Sequence, residues 1–362
     1  MWYNVDNVKE VDSPALLIFP DRVRENIRIM KSFVSDVARL RPHIKTNKSP
    51  EAVTLLLEAG ITRFKCATIT EAELLGQVGA PDILMAYQPT GPKINRLAEV
   101  ITRYPNSRFA CLTDNSNNAR AIGDVMSAAG ITLDTWIDLN VGMNRTGISP
   151  ANALALFREI RQINGIRPAG LHAYDGHLRH ADLNERTAAC DLAFEPVAEL
   201  YRVIRSEYAS AFSVCAGGTP TFPIHARREG IECSPGTFIY WDTGYGNLLK
   251  EQPYLHAALV LTRVISKPAP GLLCLDLGHK SIAAENPLNN GITFPEGPDF
   301  EPIGQSEEHL VVRTASAAAF QVGQPLYGIP FHVCPTVALY DIAWSVRNGH
   351  ASPDWHQPAR KK

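Results

Sequence analysis

The chain has 362 residues, of which 45% are hydrophobic and 20% charged, with a formal net charge of −2. That length exceeds what one core usually supports and predicts two domains. The near-neutral balance argues against a nucleic-acid or anionic-membrane partner, and no apolar run approaches a bilayer-spanning length. The opening MWYNVDNVKEVDSP lacks the basic and apolar regions of a signal peptide, and seven cysteines without close pairs suit a reducing compartment. A cytoplasmic location is the expectation.

From Ser13 to about Tyr245 short apolar runs alternate with amphipathic helices. Ala15–Phe19 reads as a buried strand, with Asp21 capping the helix after it. In residues 40–45, Leu40, Pro42 and Ile44 alternate with Arg41, His43 and Lys45, before a helix that begins near Ser49–Pro50. Further strand–helix pairs start at Phe64–Thr68, Ile83–Ala86, Arg108–Leu112, Thr135–Leu139 and Ala169–Tyr174, and Phe212–Cys215 runs into a glycine turn. About eight repeats of this cadence predict a closed (β/α)8 barrel of the TIM type; an open doubly wound sheet is the alternative. After Gly246 the texture changes to strands (256–265, Leu272–Leu277, His309–Arg313) joined by Pro/Gly/Asn-rich turns, which predicts an all-β domain. The expected division is a barrel over 12–246, a β domain over 1–11 and 247–349, and a flexible tail over 350–362.

Lys45 is the most informative residue. It falls at the carboxyl end of a predicted barrel strand, where such enzymes keep their chemistry, and a lysine losing solvation there can form a Schiff base with a carbonyl cofactor. On position alone a solvated surface lysine is the commoner reading. The wider sequence shifts that balance. RPHIKTNK at 41–48, DLNVGMNRTG at 138–147, GLHAYDGHL at 170–178, CAGGTPT at 215–221, SPGTFIYWD at 234–242, DLGHKSIAAE at 276–285, SEEHL at 306–310 and HVCPTVALYD at 332–341 follow one another in an ordered set. Together they resemble the D-threonine aldolase and D-serine dehydratase group of fold-type III pyridoxal-phosphate enzymes, relatives of alanine racemase.

The resemblance implies a site for pyridoxal 5'-phosphate. Lys45 supplies the amine. Gly217, Gly218 and Thr219 in one turn, with Gly236 and Thr237 in another, supply a phosphate cup, since glycines let backbone N–H groups approach an anion. A Gly-Gly-Thr turn alone is more often only a turn. Arg145 matches the arginine that contacts the ring oxygen in alanine racemase, and Tyr174 falls where the family stacks a ring on the cofactor. His172 and His177 flank that tyrosine; His177, in the family's Gly-His pair, is the preferred supporting residue. Two departures stand out. Asn47 replaces a histidine common in relatives, and Ser234 stands where alanine racemase puts an arginine against the ring nitrogen, so that nitrogen would go unprotonated.

His332 and Cys334 form the second signal. On a strand, residues two apart share a face, and imidazole plus thiolate favours zinc. A lone His-x-Cys is usually coincidence, but this one sits in a segment resembling the family's metal-binding strand. The thiolate matches dehydratases, whereas PTVALYD resembles aldolases; manganese and magnesium remain possible metals. Asp276, His279, Glu308 and His309 are candidate neighbours of the ion.

The activity implied is metal-dependent cleavage of D-β-hydroxy-α-amino acids to glycine and an aldehyde. The alternatives are a D-serine dehydratase yielding a 2-oxo acid and ammonia, an amino-acid racemase with Tyr240 or Tyr245 as second base, and a non-catalytic cofactor carrier. A homodimer is the family expectation.

Overall fold

The structure is a computed structural model that describes residues 1–208, 211–297 and 299–360. Its strands are β1 (Ala15–Ile18), β2 (Arg63–Cys66), β3 (Asp82–Met85), β4 (Arg108–Thr113), β5 (Leu133–Leu139), β6 (Ile166–Ala173), β7 (Ser213–Ala216) and β8 (Ile231–Cys233). After these come β9 (Ala258–Ser266), β10 (Leu272–Leu275), β11 (Ile292–Thr293), β12 (Glu301–Gln305), β13 (Leu310–Arg313), β14 (Pro325–Pro330), β15 (Ile342–Arg347) and β16 (His350–His356). They belong to two compact units: Met30–Lys45 with Val53–Gly236, and Met1–Ile29 with Thr46–Ala52 and Thr237–Arg360.

In the first unit β2 to β8 are parallel and neighbours in chain order. Helices connect them, several started by side-chain caps: Thr68 accepts from the Glu71 N–H, Asn115 from Asn118, and Asp182 from Asn184 and Glu185. Residues 40–44 fill the eighth position. Arg41 N donates to Cys233 O at 2.8 Å, and Lys65 N donates to Pro42 O at 2.9 Å, so this segment bridges β8 and β2 and closes the barrel. Pro42 has no N–H to give, which interrupts regular pairing there. Leu84, Ala110, Leu112, Trp136, Ala169 and Cys215 fill the barrel interior.

The run Ala15–Phe19 is not the first barrel strand. β1 pairs antiparallel with β9 and parallel with β15 in the other unit. A fully apolar strand reads alike in any sheet covered on both faces, so its pattern could not choose between the two. The second unit's sheet runs β12-β13-β10-β9-β1-β15-β16, with β14 on β9 and β11 on β14. Tyr3, Val5, Leu17, Leu259, Leu261, Tyr327 and Val346 share its core.

The expected tail is also corrected for the described residues. His350–His356 pairs antiparallel with β15, and Ala351 and Trp355 are buried. This is an edge strand, which tolerates Pro353 and polar outward residues, and that composition is what read as a tail. Residues 361 and 362 lie outside the described residues. No helix among those described is long and apolar enough to cross a membrane.

Candidate active site

Lys45 ends the closing segment of the barrel and is half-buried, with Nζ 5.8 Å from the centre of the Tyr174 ring. The Arg145 guanidinium lies 4.9 Å from the same ring, so the structure gathers Lys45, Tyr174 and Arg145. A fourth residue joins them that the sequence reading missed. Lys65, on β2, is 2% exposed, and its Nζ is 5.6 Å from the Tyr174 ring. It meets His172 Nε2 at 3.4 Å, while His172 Nδ1 meets Asp138 Oδ1 at 2.7 Å and Thr146 donates to Asp138 Oδ2. Burial and the neighbouring Lys65 ammonium hold the His172 imidazole below its ordinary value. Burial pushes Asp138 up, but its bonds to His172 and Thr146 prevail and leave it below the usual carboxylate range. Of the two histidines beside Tyr174, His172 therefore enters the network. His177 is exposed and stands against Gly142, where an added Cβ would come 2.9 Å from its Nε2.

The glycine turn after β7 is a cradle without room for side chains. Gly217 has φ +75°, and a Cβ there would meet the His225 ring at 2.6 Å; one on Gly218 would meet Tyr174 at 2.8 Å. Gly236 N donates to Thr219 Oγ1 at 3.1 Å, which links the two expected turns of the cup. Ser234 Oγ is buried without a well-formed hydrogen bond among the described residues, the Cys215 thiol being its polar neighbour. A close-packed glycine turn with no side-chain bulk and an unsatisfied buried hydroxyl fit a phosphate and a pyridine nitrogen respectively.

Behind the cradle lies a buried cluster. Thr221 Oγ1 donates to Asp175 Oδ1 at 2.7 Å, His225 Nε2 meets Asp175 Oδ2 at 2.8 Å, and Cys190 Sγ lies 3.4 Å from His225 Nε2. Asp175, Cys190 and His225 have the composition of a metal site, their ligand atoms within 4.8 Å of one another. Yet Arg228 Nη1 donates to His225 Nδ1 at 2.6 Å and also faces Cys190. Since guanidinium can only donate, His225 carries its proton on Nε2 and gives it to Asp175. The cluster is a proton-ordered brace for Thr221, whose hydroxyl in turn receives the Gly218 N–H.

In the second unit His332 and Cys334 come together, but not on a strand. β14 stops at Pro330; His332 is the extended N-cap of the helix Val333–Val337, and Cys334 lies in its first turn. Pro335 suits that turn because it needs no N–H there. His332 Nδ1 meets Glu285 Oε1 at 2.5 Å, the carboxylate–histidine arrangement of metal sites. Burial lowers the His332 imidazole, but its hydrogen bond to Cys334, with Glu285 and Asp242, lifts it to about 9. Thr46 Oγ1 and Thr237 Oγ1 lie 3.2 and 3.7 Å from Cys334 Sγ, so the Thr237 side chain is beside the thiol. Asp242 Oδ2 accepts from Val333 N and anchors this helix start. The residues expected near the ion have other partners: Asp276 binds Ser13, Thr262 and Arg263, Glu308 pairs with Lys280, and the His279 N–H and His309 carbonyl both bond Ser306 backbone. Glu285 and Asp242, each the last residue of a quoted motif, take the place given to them. Tyr240 is buried, with its hydroxyl receiving the Trp355 Nε1–H at 3.0 Å.

A lysine at the barrel's carboxyl end, a glycine cradle and a β unit with a His–Cys pair define the class of alanine racemase-like enzymes. The alanine racemase N-terminal domain model matches residues 18–243, and a putative serine dehydratase domain model matches 257–346. D-threonine aldolase from Arthrobacter sp is 31% identical across 98% of this chain and 94% of that protein. D-threo-3-hydroxyaspartate dehydratase from Delftia sp. is 25% identical across 92% and 94%. The crystal structure of D-threonine aldolase from Filomicrobium marinum matches with a TM-score of 0.89 at 27% identity, covering 97% of this chain and 95% of that one. The chain belongs to the D-threonine aldolase and D-serine dehydratase family.

Proposed function

We propose that the protein is a pyridoxal-phosphate- and metal-dependent lyase that splits D-β-hydroxy-α-amino acids, D-threonine among them, into glycine and an aldehyde. The observation that carries this reading is Lys45 converging with Arg145 and Lys65 on Tyr174 beside a cradle that fits a phosphate. Relatives named D-threonine aldolase and 3-hydroxy-D-aspartate aldolase, each matching 98% of the chain, support the reaction type.

Bound pyridoxal phosphate supplies an electron sink for the pair released at the substrate's α-carbon. Lys45 would hold the cofactor through its Nζ. Tyr174 would stack on the ring, Arg145 would contact its oxygen, and the Ser234 hydroxyl would take its nitrogen. The side-chain-free turn of Gly217 and Gly218, with Thr219 and Gly236, would receive the phosphate. A serine leaves the ring nitrogen uncharged, which suits a reaction that needs no long-lived carbanion. His332 and Cys334 would hold a divalent ion, zinc by their donor chemistry, which would supply Lewis acidity for the β-hydroxyl, with Glu285 orienting the imidazole. Thr237 contributes beside the thiol. A cytoplasmic homodimer completes the reading, and light scattering tests the dimer.

Dehydration is the second reading, favoured by the Cys334 thiolate and by the serine dehydratase domain match over 257–346. Product analysis separates the two. Glycine and acetaldehyde from D-threonine support the lyase; pyruvate and ammonia from D-serine without glycine from D-threonine overturn it. Chelation abolishes either activity and leaves a racemase or carrier untouched.

A further inference from the structure

Lys65 is a buried ammonium that the reaction as read above does not use. Its one hydrogen-bond partner among the described residues is His172 Nε2, at 3.4 Å. Because the Asp138 carboxylate can only accept, the His172 proton sits on Nδ1 and Nε2 is an acceptor. Lys65 thus uses one of its three N–H donors, and two remain. No carboxylate among the described residues makes an ion pair with it. A cation buried without an ion partner opposes folding, so natural chains keep one mainly where function requires it. Burial draws Lys65 down to about 8, so it still carries most of its charge at neutral pH.

The Tyr174 ring gives the direction in which the free donors are useful. Lys65 Nζ, Lys45 Nζ and Arg145 Cζ all lie within 5.8 Å of its centroid. Three cations around one aromatic ring call for an anion between them, and the ring oxygen of pyridoxal phosphate is an anion attached next to the carbon that Lys45 holds. We propose that Lys65 is a second cationic contact for that ring oxygen, a positioning residue that acts with Arg145 and is oriented by the His172–Asp138 pair. This rests on the reading of Lys45 as the cofactor's amine. A positive charge held there disfavours a proton on the linkage between Lys45 and the cofactor. Lys45, His172, Asp138, Asp175, Cys215, Arg145 and Tyr174 are the charged or titratable groups facing it.

The test is a pH titration of the visible absorption band of the holoprotein without substrate, with the dissociation constant for pyridoxal phosphate measured beside it. Lys65→Met should raise the midpoint by about one pH unit and weaken cofactor binding about tenfold. Lys65→Arg, which keeps the charge, should keep the wild-type midpoint. If the Met variant matches wild type in both numbers, or if Arg and Met shift alike, the positive charge is not the agent and the proposal falls. If the Met variant does not fold, Lys65→Gln is read by the same numbers. A wild-type protein that takes up no pyridoxal phosphate would sink the cofactor reading itself; uptake by wild type with unchanged variants would sink only the role of Lys65.

Discussion

At the amino ends of the barrel strands, Arg41, Arg63, Arg108 and Arg167 each meet a carboxylate at 2.5–2.8 Å: Glu232 takes the first two, and Asp134 the others. At the carboxyl ends, Lys45, Lys65 and Arg145 form no ion pair among the described residues. Both ends are rich in cations, but at one end the counter-charge is built into the strands. Arg41, 2% exposed, also reaches Asp82 and donates to the Phe64 carbonyl. Such a network stabilises only as a complete set. The other end is left for a ligand to neutralise, which agrees with the division of labour in this fold between a stabilising face and a reacting face.

Substitutions can break that comparison at either end. Lys45→Ala should abolish activity, by roughly a thousandfold or more, while the circular dichroism spectrum is kept. At the amino end, Glu232→Gln leaves the buried Arg41 guanidinium with Asp82 as its remaining carboxylate and should cost about 3 kcal/mol of stability in chemical denaturation, with cofactor affinity unchanged in whatever fraction stays folded. Lys65→Met should act with the opposite sign on the cofactor-free protein. The folded pKa of Lys65, about 8, lies below the 10.5 of a free lysine, so between those values the unfolded chain binds the extra proton. Wild-type stability should therefore rise as pH rises through that window. The Met variant lacks this rise, and its advantage below pH 8, at most roughly 3 kcal/mol, should vanish above pH 10.5. Denaturant midpoints at three pH values check it; a gap independent of pH would mean the ammonium is not the source. Gly218→Ala should have the smallest effect on folding, about 1–2 kcal/mol, because it only forces Tyr174 aside from 2.8 Å. It should be visible mainly as weaker cofactor binding.

What the sequence made legible follows from which partners are near in the chain. Lys45, the glycines at 217 and 218, and His332 with Cys334 lie in short motifs whose chemistry is local. Lys65 does not: FKCAT reads as a strand, and only the barrel's curvature brings its second residue to His172, 107 residues away. Glu285 reaches His332 across 47 residues of chain and was visible only as the end of a motif. The His332–Cys334 pair sits on different geometry from that expected, since a helix starts at Val333 where the pattern predicts a strand. β1 was legible as a strand but not as a member of the second sheet, and β16 hid behind an edge strand's polar composition.

Borohydride reduction of the protein loaded with pyridoxal phosphate, followed by peptide mapping, is the most direct test of the role of Lys45. The prediction is a single pyridoxyl group on Lys45, with Lys65 unmodified. A group on Lys65, or no incorporation at all, would contradict it.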